Sequence, residues 1–230
     1  QMDKPKLFII GSIHAREYAP AEVALRYAEY LLNNYGVNPD VTWVVDYHEI
    51  HIMFQANPDG RKEAETGLSW RKNTNENYCG ATSTNRGADL NRNFSYQWGG
   101  AGSSSNTCDA TYRGPSPDSE PETRAIRDYM LSLFPDQRGT GAAPADTTGI
   151  FLDLHTYGQY VLWPWGYTSS VSPNDTQLQT LGRKFAYFNG YRPGQTGQDL
   201  YTCSGVTNDF AYGELGIAAY TFEMGTAFSQ

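Results

Sequence analysis

The chain has 230 residues, 39% of them hydrophobic and 14% aromatic, and carries a formal net charge of -8. That is enough for one large core, so a single α/β domain over residues 1–230 is expected. The acidity excludes nucleic acid and anionic membrane surfaces as natural partners, no apolar run approaches the roughly 20 residues that span a bilayer, and a monomer is expected.

Gln1-Met2-Asp3 looks like the edge of a processed or excised piece and not like a signal peptide. Leu7-Phe8-Ile9-Ile10 is a short, branched run closed by Gly11 and Ser12, which predicts a buried strand. It ends in a turn carrying His14 and, three residues on, Glu17. These are nitrogen and oxygen donors of the kind zinc accepts, although His-x-x-Glu alone is a pattern that chance often supplies. Pro20 to Tyr35 sets Ala21, Ala24, Leu25, Ala28, Leu31 and Leu32 at helical spacing, and Gly36 stops it. An amphipathic piece near Asp40 to Tyr47 leads into a strand over Ile50 to Ala56, closed by a turn at Asn57-Pro58-Asp59-Gly60. Strand, helix, strand implies a right-handed crossover and a mixed, mainly parallel central sheet flanked by helices. His48 and His51 have no further donors near them and are read as structural.

From Glu63 to Gly114 the periodicity vanishes, a stretch too long for a mere connection and therefore a place to look for function. It holds Trp70-Arg71-Lys72-Asn73 and Asp89-Leu90-Asn91-Arg92-Asn93-Phe94, in which arginines sit among amides and aromatics. That setting suits an anion, because the guanidinium fork matches a carboxylate bidentately. Cys79 and Cys108 flank a polar part of the same stretch; either they bridge, which stabilises by roughly 3–4 kcal/mol in the chain-entropy model, or they are free thiols of a reducing compartment. Cys203 is left over. Acidic composition rich in Tyr and Asn favours a secreted protein.

Ser119-Glu120-Pro121-Glu122 opens a helix to about Phe134, with proline and acids in the first turn. After a loop at 139–148, Ile150 to Leu154 is a core strand that ends at His155-Thr156-Tyr157. Val161 to Gly166 predicts a further short strand, Asp175 to Asn189 a helix, Asn208 to Gly213 a short helix, and Ile217 to Phe222 a last strand ending on Glu223. Three strand ends thus carry His14 with Glu17, His155, and Glu223. Two histidines and a carboxylate leave an open position on zinc, the mark of a catalytic metal, and a further glutamate can take a proton from water.

Taken together, His14-Ala15-Arg16-Glu17, Asn57-Pro58-Asp59-Gly60, Trp70-Arg71-Lys72-Asn73, Asp89-Leu90-Asn91-Arg92-Asn93, Leu154-His155-Thr156-Tyr157, Trp163-Pro164-Trp165-Gly166-Tyr167 and Thr221-Phe222-Glu223 resemble, in order and spacing, the zinc metallocarboxypeptidases of the A, B and T kind. The wording is closest to the bacterial carboxypeptidase T branch. The resemblance implies one zinc per chain held by His14, Glu17 and His155, with Glu223 as general base for the water that zinc activates. It implies Arg71 beside the scissile carbonyl, Asn91 and Arg92 on the C-terminal carboxylate, Tyr201 closing over the substrate, and a Cys79–Cys108 bridge. The base of the side-chain pocket falls on Asn208, where the family carries an apolar residue or an aspartate. A neutral amide does not offset the desolvation of a buried cation, so neutral, mostly hydrophobic C-terminal residues are expected; Asp209 and Glu214 lie close enough in sequence to leave mixed specificity open.

Relatives carry more chain before the first strand and after Glu223, so the expectation is either a fragment of a longer precursor or a version of the fold reduced at both ends, with exposed sheet surface. Two other functions compete with an exopeptidase on peptide and protein C-termini. One is a related amidohydrolase acting on peptidoglycan or acyl-amino acids; the other is a zinc-free module that binds C-termini without cutting.

Overall fold

A computed structural model describes residues 4–228, so the reading of Gln1–Asp3 as a processed edge lies outside the described residues. Strand β1 (Lys6–Gly11) is followed by helices α1 (Ala19–Asn34) and α2 (Pro39–Tyr47), strand β2 (Glu49–Met53) and helix α3 (Pro58–Glu65). Helix α4 (Pro121–Leu133), strands β3 (Ile150–Thr156) and β4 (Tyr160–Trp163), and helix α5 (Asp175–Asn189) come next. Strand β5 (Arg192–Gln195), helix α6 (Thr207–Leu215) and strand β6 (Ala218–Met224) complete the chain. The six strands form one sheet in the order β2-β1-β3-β6-β4-β5. All neighbours are parallel except β4, which runs antiparallel to β6, so the mixed, mainly parallel α/β reading holds.

Register decides what each face carries. Phe8 pairs with Phe151 and Ile10 with Asp153, while Phe151, Asp153 and His155 pair with Ala219, Thr221 and Glu223. With the two-residue period of a strand, these side chains share one face. Phe8, Ile10, Phe151 and Ala219 pack there with Ile126 and Met130 of α4 and Phe210, Ala211 and Leu215 of α6. Helices α1 and α5 lie on the other face. Between them lies an apolar groove lined by Leu7, Ile9, Leu152, Leu154 and Phe222.

Three local differences from the sequence reading have simple causes. Asn57-Pro58-Asp59-Gly60 is not a turn closing a strand: Asn57 caps α3, its Oδ1 accepting from the Gly60 N–H at 3.1 Å, with Pro58 in the first helical turn. Strand β5 escaped notice because Arg192-Pro193-Gly194-Gln195 lacks β-formers, and proline is tolerated there only because β5 is an edge strand. The long stretch after α3 contains one short 3-10 turn, Leu90–Arg92, whose Asp89 side chain accepts from the Asn91 N–H.

Polar contacts and a disulfide also hold that stretch. Cys79 and Cys108 are bridged, with Cα atoms 4.9 Å apart, and the buried Lys72 ammonium donates to the carbonyls of Thr107 at 2.9 Å and Asp109 at 3.0 Å. Trp70, Leu90 and Phe94 anchor the segment in buried apolar surroundings, but the loop around Cys79 is polar and largely exposed, so the bridge matters there. Replacing both Cys79 and Cys108 by Ala is expected to lower the unfolding free energy by about 3 kcal/mol, read as a lower midpoint in urea with a steeper slope, because the unbridged denatured chain exposes more surface.

Candidate functional site

The site lies at the carboxyl ends of β1, β3 and β6, on the face shared by His155 and Glu223. Strand β1 stops at Gly11, where a Cβ would lie 2.9 Å from the Pro20 carbonyl oxygen, so only glycine lets the chain turn so tightly against α1. Ser12 then takes a positive φ of 58°, and its hydroxyl donates to the Glu17 carbonyl at 2.9 Å. The Ala15 N–H donates to the Arg71 carbonyl at 3.2 Å. This tight turn puts His14 and Glu17 on the same side, facing the end of β3.

Both histidines and Glu17 are buried. His14 Nδ1 lies 2.9 Å from Glu17 Oε1, and His155 Nδ1 lies 3.1 Å from Glu17 Oε2 and 3.1 Å from His14 Nδ1. The Thr156 N–H also donates to Glu17 Oε2, at 3.1 Å. Among the described residues this is the group of His, Cys, Asp and Glu side chains whose ligand atoms, all within 4.8 Å of one another, could hold a metal. A tetrahedral ion with bonds near 2.1 Å needs donors about 3.4 Å apart, so the three residues fit zinc with adjustments of a few tenths of an ångström. Charge fits as well. Burial opposes ionisation of Glu17, but the two imidazoles outweigh it and hold the carboxyl well below the usual range.

Behind each imidazole stands a second carboxylate, and neither was singled out from the sequence. Asp89 Oδ1 lies 3.1 Å from His14 Nε2, while its Oδ2 accepts from Arg71 Nε at 3.0 Å and from the terminal nitrogen Nη2 at 2.8 Å. Asp153 Oδ2 lies 2.9 Å from His155 Nε2. Burial penalises the Asp89 charge, but Arg71, His14 and Arg92 more than compensate and hold its carboxyl well below the ordinary value. For Asp153 the signal was available: Asp-x-His on a strand puts both side chains on one face. Asp89 had no such signal, because its partners lie far away in sequence.

The remaining residues singled out from the sequence gather around the same narrow pocket. It is lined by His14, Asn91, Arg92, His155, Tyr201 and Glu223, with Leu162, Thr196, Leu200, Val206, Asn208 and Thr221. Arg92 spends Nε on the Gly102 carbonyl at 2.8 Å and Nη1 on the Asn91 carbonyl at 2.6 Å, which fixes the guanidinium. Asn91 Oδ1 accepts from the Thr207 N–H at 2.9 Å. Arg71 reaches the His14–Glu17–His155 cluster, its Nη1 3.4 Å from His14 Nδ1. Tyr201 is 50% exposed, its ring centroid 5.9 Å from the Arg92 guanidinium carbon. Asn208 is buried and donates to Thr196 Oγ1 at 3.3 Å. Burial pushes the Glu223 carboxyl up to about 7. Neither Asp209 nor Glu214 lines the pocket: Asp209 turns to the N–H groups of Gly166 and Tyr167, and Glu214 is exposed.

His48 and His51 lie elsewhere, His48 donating through Nδ1 to the Val44 carbonyl at 3.1 Å and His51 Nδ1 2.8 Å from the Tyr129 hydroxyl, so both are structural. No helix among the described residues is long and apolar enough to cross a membrane.

A buried His-Glu-His donor set able to hold a metal thus lies at the strand ends of a mainly parallel sheet, beside a fixed guanidinium and a separate glutamate. The family model described as zinc carboxypeptidase matches residues 1–229, and the chain belongs to that family. It is 35% identical over 216 residues to metallocarboxypeptidase A of Trichophyton tonsurans, covering 90% of this chain and 48% of the fungal protein. It is 33% identical over 231 residues to carboxypeptidase B of Astacus astacus, covering 96% of this chain and 71% of that protein. Among solved structures, carboxypeptidase A of Helicoverpa armigera superimposes with a TM-score of 0.80 at 28% identity, covering 98% of this chain and 53% of that one. The chain therefore spans about half the length of several of the relatives it matches.

The buried Asp209 gives this region a titration signature. Burial lifts its carboxyl from the usual 3.8 to about 7, against the pull of the Gly166 and Tyr167 N–H groups. Its folded pKa is raised, so between about pH 4 and 7 the folded state holds a proton that the unfolded state releases, and stability falls by up to about 1.4 kcal/mol per pH unit. Asp209→Asn lacks this term. Urea midpoints at pH 4.5 and 7.5 should therefore show the wild type losing stability relative to the variant as pH rises; parallel behaviour would refute the assignment.

Proposed function

We propose that the chain carries the catalytic centre of a zinc-dependent exopeptidase that removes residues from the C-termini of peptides and proteins. One observation carries this reading: the His14–Glu17–His155 cluster opens onto the same narrow pocket that Arg92, Tyr201 and Glu223 line. A metal-binding set, an anion receptor and a carboxylate outside the metal set thus share one cavity. Similarity to carboxypeptidases A and B supports it.

When bound by His14, Glu17 and His155, zinc supplies Lewis acidity and lowers the pKa of water. The chain's own side chains do the rest. Arg92, with Asn91 at its side, holds the terminal carboxylate of the substrate, which fixes the cut one residue from the end. Glu223 takes the proton of the attacking water on its carboxylate and returns it to the leaving amine nitrogen. Arg71, braced by Asp89, stabilises the oxyanion that develops on the scissile carbonyl. Tyr201, on an exposed loop, closes over the bound residue and excludes water. Leu162, Leu200 and Val206 with the amide of Asn208 form a neutral side-chain pocket, which favours neutral, mostly hydrophobic C-terminal residues. The Cys79–Cys108 bridge suits an oxidising compartment and supports secretion.

The test is hydrolysis of blocked dipeptides ending in Phe or Arg, with and without a zinc chelator. We expect chelator-sensitive release of Phe, slower release of Arg, and a loss of about 100-fold or more in kcat for Glu223→Gln. Faster release of Arg would overturn the neutral pocket and leave the mechanism standing. Absence of both zinc and hydrolysis would overturn the enzyme.

A further inference from the structure

Asp153 is buried on β3 two residues before His155 and has no part in the reaction as described. Its Oδ2 lies 2.9 Å from His155 Nε2 and also accepts from the Thr207 hydroxyl, which reaches it from the first turn of α6. We propose that Asp153 is a positioning residue for the metal site: its carboxylate holds the His155 proton on Nε2, so that the Nδ1 lone pair faces Glu17 and His14.

The argument turns on two neighbours that make opposite demands on Nε2. The amide nitrogen of Asn91 lies 3.2 Å from it and is committed to being the donor on that side, because Asn91 Oδ1 already accepts from the Thr207 N–H. If Asn91 won, Nε2 would accept, the proton would move to Nδ1, and the lone pair would leave the metal-binding side. Asp153 is acceptor-only, charged and closer, so it wins and Nε2 carries the proton. Thr207 settles the contest from both ends, fixing the Asp153 carboxylate by its hydroxyl and the Asn91 amide by its N–H. Asp89 stands behind His14 in the same relation, so both imidazoles are oriented by a carboxylate.

This inference rests on His155 being a zinc ligand, and the experiment separates the two. Zinc affinity is measured by competition with a chromophoric chelator for the wild type, His155→Ala, Asp153→Asn and Thr207→Val, with folding followed by circular dichroism. Asp153→Asn is expected to bind zinc about 10–100-fold more weakly and to change the visible spectrum of the cobalt-substituted protein. Thr207→Val should shift both readouts the same way by less, and Thr207→Ser should restore them. A folded Asp153→Asn that binds zinc within about twofold of the wild type, with His155→Ala deficient, would overturn the role of Asp153 alone. Should Asp153→Asn fail to fold, unchanged zinc affinity in Thr207→Val overturns it. A wild type that does not bind zinc, or a His155→Ala that binds as the wild type does, overturns the ligand reading and this inference with it.

Discussion

The register of β1, β3 and β6 is the constraint on which the site depends. His155 is level with Glu223, and Leu154 with Gly11 at the end of β1. Shifting β6 by one residue would turn Glu223 to the opposite face, towards the apolar groove between α1 and α5. The polar residues do not set this register. Phe8, Ile10, Phe151 and Ala219 do, because all four are buried with α4 and α6 on the site-bearing face. The hydrophobic core thus acts on the chemistry at a distance: burying those residues leaves no freedom in where the imidazole and the carboxylates emerge.

This explains which parts could be read from residues alone. Strands β1, β3 and β6 are apolar runs with sharp ends, so their polar terminators stood out, and His14, Glu17, His155 and Glu223 followed from local pattern. Asp153 was hidden inside such a run, where a charged residue looks like an interruption until the period of two is applied. Asp89 is different in kind. It lies 75 residues from His14 and 18 from Arg71, in a segment without periodicity, and only the folded chain brings the three together. The same limit applies to Asn57, whose Asn-Pro-Asp-Gly context satisfies the chemistry of a turn as well as that of a helix cap, and to β5, whose pairing with β4 makes a strand out of residues with no preference for one.

Charge shows why the buried polar cluster is organised as it is. Glu17, Asp89 and Asp153 are each at most 2% exposed, and burying a carboxylate is costly unless something compensates it. Asp89 has the Arg71 guanidinium. Glu17 and Asp153 face imidazoles instead, one at Nδ1 and the other at Nε2 of His155. Burial works against a charged imidazole, yet these two carboxylates hold the His155 pKa well above its ordinary value. A cation seated among Nδ1 of both histidines and Glu17 supplies the compensation that a proton supplies otherwise, so metal and protons compete for the same buried negative charge. A dication does so with the imidazoles neutral and each Nε2 keeping its proton, directed at the carboxylate behind it. The cluster is therefore matched to a small divalent ion by its charge as much as by its donor atoms, and the carboxylates behind the histidines are part of that match.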